Sequence, residues 1–300
     1  MEGVIRTPSI GHFNGDQPDD AVECLNRDGV VAFDGLWPVE LISRLEHALR
    51  NMVPGAYNSR APQPEDFLEV DTDRINGLVP VAGAMRECID LLLHPTLLKL
   101  CEQMLGKDWV FESFGVISSF PGAPLQEAHE DSPPLLDGGQ LADALPTFAL
   151  TISIPLVPVD AINGSTEFLI GTHRAAAGAT RSDTFVTSWL SPGDCMVWDF
   201  MVRHRGQANH GTTARPLLYI TACRKFWLDS TNFRPDARKL VLDHKAWTLI
   251  PQPQHKRFVR ARSMPGPRSA ARTLIRLSRW YAPGLHRAIR RLVRRPERIR

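Results

Sequence analysis

Apolar and polar residues alternate along residues 148–156, and this pattern restricts the fold more than any other feature of the sequence. Leu150 and Ile152 alternate with Thr151 and Ser153, which is the period of two expected of a β-strand whose successive side chains point to opposite faces. The apolar face is predicted to enter a core. The polar face is either the wall of a pocket or a solvent-facing sheet surface, and alternation alone does not separate these interpretations.

Helical patterns come before this strand, and short strands bounded by turns surround and follow it. Helices are predicted at 19–28, 38–52, 84–93 and 95–105, and strands at 29–33, 109–119, 148–156, 166–170, 185–190, 195–200 and 216–223. Residues 54–80 are rich in Pro, Asp and Gly and are predicted to be irregular. Helices followed by turn-bounded strands, with 24 prolines and 21 glycines, indicate a mainly β jelly-roll barrel with flanking helices.

The composition is that of an ordinary globular protein, with 43% hydrophobic and 23% charged residues. Residues 1–20 have no apolar core, so no secretory signal is predicted. The longest apolar stretch, 148–159, is interrupted by Thr, Ser and Pro and is too short for a membrane span. The five cysteines are scattered without a Cys-x-x-Cys pair, and together with the missing export signal they predict a reducing, cytoplasmic location.

Charge and composition divide the chain into three predicted parts. These are a flexible leader at 1–18, a main domain at 19–250 and a basic tail at 251–300. Fifteen Lys and Arg residues and one acid lie between His255 and Arg300, whereas the preceding residues contain 20 basic and 32 acidic residues. An acidic body therefore precedes a strongly basic tail.

The tail is predicted to form two short amphipathic helices, at 269–280 and 285–293. We favour docking of these helices on the acidic body of the same chain or on a second subunit. Peripheral contact with an anionic membrane is the alternative, because basic amphipathic helices bind such surfaces. Nucleic-acid binding is not expected, since the tail lacks interleaved aromatic residues and any known module.

A candidate metal site begins at His129-Glu130-Asp131. In an extended strand, residues two apart share a face, so His129 and Asp131 can reach one metal ion. A lone His-x-Asp is weak evidence, because both residues are common in polar loops. His204 can supply a third ligand, and two histidines with one carboxylate form the facial triad of non-haem Fe(II) enzymes. Arg215 lies eleven residues after His204 in the sequence, where its guanidinium could hold a carboxylate.

Five motifs, in order, resemble the phytanoyl-CoA dioxygenase family of Fe(II)/2-oxoglutarate-dependent oxygenases, and the resemblance covers residues 20–228. The motifs are the segments 28–35, 94–106, 126–131, 163–173 and 193–215. The resemblance implies a double-stranded β-helix, a jelly-roll or cupin-like core, with flanking α-helices. It also implies Fe(II) as the metal, and 2-oxoglutarate and O2 as co-substrates.

The same resemblance implies a role for each site residue. The expected iron ligands and catalytic centre are His129, Asp131 and His204. Arg215 is expected to anchor the distal carboxylate of 2-oxoglutarate, and Gln126 and Ser153 to contact the same co-substrate. Substrate specificity is expected in residues 54–80, 132–146 and 228–250.

These features predict an enzyme that oxidises a small molecule, in a role such as bacterial secondary metabolism. Related halogenases have a small residue in place of the carboxylate that Asp131 provides here, so hydroxylation is favoured over halogenation. Desaturation, epimerisation and cyclisation use the same ligands and stay open. Two other functions remain as alternatives: a non-catalytic jelly-roll binding protein associated with a membrane or partner through its tail, and a zinc hydrolase, for which Arg215 has no explanation. Substrate identity and oligomeric state cannot be read from the sequence.

Overall fold

The computed structural model describes residues 9–61, 67–83, 85–136, 145–174, 183–233 and 239–263. Both helices predicted in the basic tail, and the first part of the leader, lie outside these ranges. Within them, no helix combines the length and the hydropathy that a membrane span requires.

Five helices and thirteen strands are described. The helices are α1 (Pro18–Asp28), α2 (Val39–Met52), α3 (Arg86–Leu92), α4 (Pro95–Leu105) and α5 (His244–Leu249). The strands are β1 (Gly11–Phe13), β2 (Val30–Phe33), β3 (Phe67–Asp71), β4 (Arg74–Leu78), β5 (Trp109–Ser119), β6 (Ala149–Pro155), β7 (Thr166–Phe168), β8 (Val186–Thr187), β9 (Cys195–Asp199), β10 (His204–Gly206), β11 (Arg215–Arg224), β12 (Val241–Leu242) and β13 (Arg262–Ser263). Short 3-10 helices occur at Pro54–Ala56, Thr172–Arg174 and Gln252–Phe258.

Eleven of the described strands form the two sheets of a jelly roll, and β12 and β13 form a separate two-stranded sheet. The large sheet has the order β1-β2-β9-β6-β11-β5-β4-β3, and the small sheet has the order β10-β7-β8. Within these two sheets the described pairs are antiparallel, except that β1 pairs with β2 in parallel. The predicted fold class, a mainly β jelly roll with flanking helices, is confirmed.

Helices cover one face of the large sheet. The main core contains Leu25, Leu45 and Leu100 from the helices together with Phe111 and Ile152 from the strands, and all five are almost fully buried. The apolar side of β6 thus packs on the helices. On its polar side, Thr151 lines a cavity between the two sheets and Ser153 is buried, so this face is not a solvent-facing sheet surface.

Several parts of the chain differ from the sequence prediction. Strand β1 lies within the predicted flexible leader and pairs with β2, and β12, β13 and α5 were not predicted. Residues 54–80 are not irregular throughout, because β3 and β4 form a hairpin whose β4 strand extends the large sheet along β5. The strand could not be identified from its pattern, because Arg74 and Asn76 are polar residues on the face of β4 that lines a cavity. Strand β10 was also missed, and it is only three residues long.

The compact body extends beyond the predicted boundary at residue 250. One compact unit runs to Arg262. Phe258 is fully buried in the main core, and Arg257 donates hydrogen bonds to the main-chain oxygens of Lys107 and Trp109. Residues 251–262 therefore belong with the jelly-roll body.

Candidate metal centre

Backbone pairing brings the three predicted ligands together. The ligand atoms of His129, Asp131 and His204 all lie within 4.8 Å of one another. His129 and His204 are paired through two main-chain N–H···O bonds of 2.9 Å, and the N–H of Asp131 donates to the oxygen of Phe200. His129 thus lies beside β10, which itself pairs with β7. The two motifs, separated along the sequence, meet at one point.

Both histidine rings are oriented by a main-chain carbonyl. The Nδ1 atom of His129 lies 2.9 Å from the oxygen of Glu127, and that of His204 lies 2.9 Å from the oxygen of Val202. A carbonyl oxygen only accepts, so each Nδ1 carries the proton. Each Nε2 lone pair is then available to a metal, which is the usual arrangement of ligating histidines.

Burial keeps His204 in the form that binds metals. Its ring stacks on Phe168 at 5.7 Å and lies 5.4 Å from Trp198. Desolvation lowers the pKa of His204 below its usual value, and the neighbouring carboxylate of Asp131 only partly offsets this effect. The neutral imidazole is the state in which histidine coordinates metal ions.

The third ligand has one carboxylate oxygen engaged and one free. Oδ2 of Asp131 accepts hydrogen bonds from Oγ1 of Thr151 at 2.8 Å and from Nε1 of Trp198 at 2.9 Å. Oδ1 lies 3.5 Å from Nε2 of His204. The main-chain oxygen of Asp131 accepts from Asn232 at 2.8 Å, so a loop after β11 also holds this segment.

The three ligands open into a cavity of about 830 Å³ between the two sheets. Its wall on the large sheet comes from β3, β4, β5, β6 and β11, and its wall on the small sheet from β7 and β10. Polar groups predominate on these strands, including Arg74, Asn76, Ser113, Thr151, Thr166, Arg215, Tyr219 and Thr221.

Arg215 lies in this cavity as a buried cation with an unused donor. Its Nη1 donates to the oxygen of Gly164 at 2.6 Å, and its Nη2 donates to Oγ of Ser119 at 2.9 Å. Nε has no hydrogen-bond partner among the described residues. Burial lowers the pKa of Arg215 to about 10. A buried guanidinium without a counter-ion is costly, so the site favours an anion there.

A second buried arginine, which the sequence analysis missed, lies beside the first. Nε of Arg74 donates to the same Ser119 hydroxyl at 2.9 Å, and its Nη2 donates to the oxygen of Gln207 at 2.7 Å. Its ion pair with Asp71 is 3.3 Å long, and burial lowers its pKa. A single arginine in a segment predicted to be irregular gave no signal that could have identified it.

The two residues that were predicted to contact the co-substrate beside Arg215, namely Gln126 and Ser153, differ in their placement. Gln126 lines the cavity, and its Oε1 accepts a hydrogen bond of 3.0 Å from the N–H of Gly206. Ser153 is buried opposite Tyr219, and Tyr219 rather than Ser153 lines the cavity. From the same strand, Thr151 reaches the cavity. Contact of Gln126 and Ser153 with the co-substrate stays a prediction.

The donor set fits the implied cofactors. Two imidazoles and a carboxylate suit Fe(II) and leave coordination positions open. The unpaired Nε of buried Arg215, with Arg74 close by, suits a dianionic co-substrate such as 2-oxoglutarate.

Comparison with known proteins identifies related chains. The family model described as phytanoyl-CoA dioxygenase matches residues 25–217. Dioxygenase FrzG of Cladobotryum sp is 26% identical over 216 residues, covering 64% of this chain and 70% of the relative. The iron/alpha-ketoglutarate-dependent dioxygenase ausO of Aspergillus calidoustus is 25% identical over 242 residues, covering 74% of this chain and 79% of the relative.

Solved structures show the same fold at lower identity. HygX from Streptomyces hygroscopicus, with nickel and 2-oxoglutarate bound, has a TM-score of 0.54 and 14% identity, covering 73% of this chain and 91% of HygX. The non-heme alpha ketoglutarate dependent epimerase SnoN from nogalamycin biosynthesis has a TM-score of 0.52 and 17% identity, covering 69% of this chain and 83% of SnoN.

Proposed function

Since this chain belongs to the phytanoyl-CoA dioxygenase family, we propose that the cluster of His129, Asp131 and His204 is its iron site. The protein is an Fe(II)- and 2-oxoglutarate-dependent dioxygenase, as its named relatives are. Convergence of the three ligand atoms within 4.8 Å, with both histidines presenting Nε2, supports this assignment. The comparisons give no support to the alternative of a non-catalytic binding protein.

Arg215 is proposed to bind the distal carboxylate of 2-oxoglutarate, and the observation that carries this role is its buried, unpartnered Nε. Arg74 shares the Ser119 hydroxyl with Arg215 and adds positive charge at the same end of the cavity. When bound, iron and 2-oxoglutarate supply the oxidising power, through oxidative decarboxylation of the co-substrate. The two arginines orient the co-substrate, and their burial excludes water around them.

The substrate is proposed to be a neutral or amine-bearing small molecule. Glu69, Glu127 and Asp229 line the cavity, whereas Arg74 and Arg215 are its arginines among the described residues, and both are assigned to the co-substrate. An acyl-CoA thioester carries several phosphates, which need cations that the described wall does not offer. The fungal relatives and the nogalamycin enzyme support a role in secondary metabolism.

The site assignment is tested by anaerobic titration of the metal-free protein with Fe(II) and 2-oxoglutarate. We expect a visible metal-to-ligand charge-transfer band that disappears in Asp131→Ala. In Arg215→Ala the 2-oxoglutarate Kd should rise on the order of 30-fold or more, because a buried charge-assisted contact is lost. Unchanged Fe(II) affinity in Asp131→Ala, or an unchanged Kd in Arg215→Ala, would remove that residue from the proposal.

The substrate class is tested separately, by substrate-stimulated succinate formation. Size-matched amines, neutral compounds and CoA thioesters are supplied to the iron-loaded enzyme. Stimulation is expected among the amines and neutral compounds. Stimulation confined to the thioesters contradicts the charge argument and leaves the iron site unaffected.

A further inference from the structure

The carboxylate of Asp131 is asymmetric in its contacts. Oδ2 accepts two hydrogen bonds, from Thr151 at 2.8 Å and from Trp198 at 2.9 Å. Thr151 on β6 and Trp198 on β9 are directly opposite each other in the large sheet. Each of two adjacent strands therefore supplies one hydrogen-bond donor to the same carboxylate oxygen. Oδ1 is left facing Nε2 of His204 at 3.5 Å.

Both donors are held rigidly in the fold. Trp198 is fully buried, with edge-to-face contacts to Phe168 at 5.3 Å and to Tyr219 at 5.6 Å. Thr151 is 3% exposed and lies in the centre of the sheet, opposite Thr221 of β11. The indole and the hydroxyl cannot turn away from Asp131 without disturbing this packing. Such packed partners are what fixes the orientation of a metal ligand.

We propose that Thr151 and Trp198 are positioning residues that restrict Asp131 to coordinating the metal through Oδ1 alone. This inference rests on the proposed role of Asp131 as an iron ligand. A carboxylate with both oxygens free can bind a metal through two oxygens and so occupy an additional coordination position. The facial triad needs those positions for the co-substrate and oxygen. Two hydrogen bonds to Oδ2 hold that oxygen away from the metal and keep the positions open.

The inference is tested on Trp198→Phe, Thr151→Val and the double variant, with Ni2+ as an air-stable probe. Calorimetry measures the Ni2+ affinity and then the 2-oxoglutarate affinity of the Ni2+-loaded protein. Each single variant is expected to bind Ni2+ about 10-fold more weakly, because the ligand is no longer oriented. X-ray absorption of the loaded double variant should show a second carboxylate oxygen at the metal, with weakened 2-oxoglutarate binding.

The chain supplies matched controls. Trp109 is as deeply buried as Trp198, but its Nε1 has no hydrogen-bond partner among the described residues. Trp109→Phe therefore removes a buried indole N–H without freeing a carboxylate, and it should leave the Ni2+ affinity unchanged. Thr151→Ser keeps the hydroxyl and should preserve the affinity of the unmodified protein.

Two results are decisive. The inference is overturned when the double variant keeps the Ni2+ affinity of the unmodified protein and still coordinates the metal through one carboxylate oxygen. It is also overturned when Trp109→Phe weakens Ni2+ binding as much as Trp198→Phe does. A different failure belongs to the proposed function: unchanged Ni2+ affinity in Asp131→Ala shows that Asp131 is no ligand at all.

Discussion

Each histidine of the proposed metal centre is oriented by the residue two places before it. Glu127 and Val202 present their main-chain oxygens to the Nδ1 atoms of His129 and His204. The backbone, rather than a neighbouring side chain, thus selects the ring tautomer. Replacing Glu127 or Val202 with another residue preserves this contact, since the carbonyl belongs to every amino acid.

Asp199 is a buried carboxyl group near the proposed metal centre. Its ionised form, which predominates at neutral pH, destabilises the folded protein. Desolvation raises the pKa of Asp199 to about 6. The folded protein therefore holds this proton more tightly than the unfolded chain, and the stability that the protonated group confers is lost as the pH rises from about 4 to about 6. Above this window the ionised group costs roughly 2–3 kcal/mol.

We expect Asp199→Asn to be more stable than the unmodified protein at pH 8 by roughly 2–3 kcal/mol, and about equal to it at pH 4. The amide oxygen can still accept from the N–H of Met201, as Oδ1 does now at 2.9 Å. Urea denaturation at both pH values measures the difference. Asp160→Asn is the control, because Asp160 also accepts main-chain N–H bonds but is exposed. A difference that is the same at pH 4 and pH 8 contradicts this explanation.

At the level of elements, strand register assembles the end of the cavity where we propose that 2-oxoglutarate binds. Arg215 of β11 pairs with Ser119 of β5, Ser119 pairs with Arg74 of β4, and Arg74 pairs with Asp71 of β3. Four strands thus place one residue each in a single row across the sheet. A one-residue shift of β4 would turn Arg74 to the opposite face.

Gly115 controls how closely β4 approaches β5. A Cβ atom at this position would lie 2.6 Å from the main-chain oxygen of Gly77, closer than packing allows. We expect Gly115→Ala to move β4 outward and carry Arg74 with it. The 2-oxoglutarate Kd should rise about 10-fold or more, while the Ni2+ affinity stays unchanged because the ligands lie on other segments. An unchanged Kd, with the protein folded, means that the position of β4 does not affect co-substrate binding.

At the scale of the whole molecule, charge is unevenly distributed along the chain. Residues 264–300 contain eleven arginines and one glutamate, whereas the residues before them contain 24 basic and 32 acidic residues. The jelly-roll body ends as a compact unit at Arg262. Contact of the basic segment with the acidic body, with a second subunit or with an anionic membrane stays a prediction.

Deletion of residues 264–300 should leave iron and 2-oxoglutarate binding intact, because every residue assigned to the site precedes Arg262. Sedimentation with anionic and with zwitterionic vesicles, together with the oligomeric state, distinguishes the contacts of the tail. Loss of binding to anionic vesicles on deletion supports membrane contact. Loss of Ni2+ binding in the truncated protein shows instead that the tail is required for the fold.

Much of the fold was predictable because it follows from local periodicity. The predicted strand at 109–119 is observed with the same limits, and the predicted helix at 95–105 likewise. The hairpin of β3 and β4 was not predictable, because Arg74 is buried by partners that lie far away in the sequence. The same holds for Trp198, which was taken only as part of a strand.

The sequence by itself determined the strand periodicity, the order of the motifs and the identity of the iron ligands as a hypothesis. Spacing of two residues is enough to put His129 and Asp131 on one face, because that property is local to a strand. Only the tertiary structure decided which donors hold Oδ2 of Asp131, that Arg74 joins Arg215, and that Tyr219 rather than Ser153 lines the cavity. These contacts depend on the register between strands distant in sequence, which no local pattern encodes.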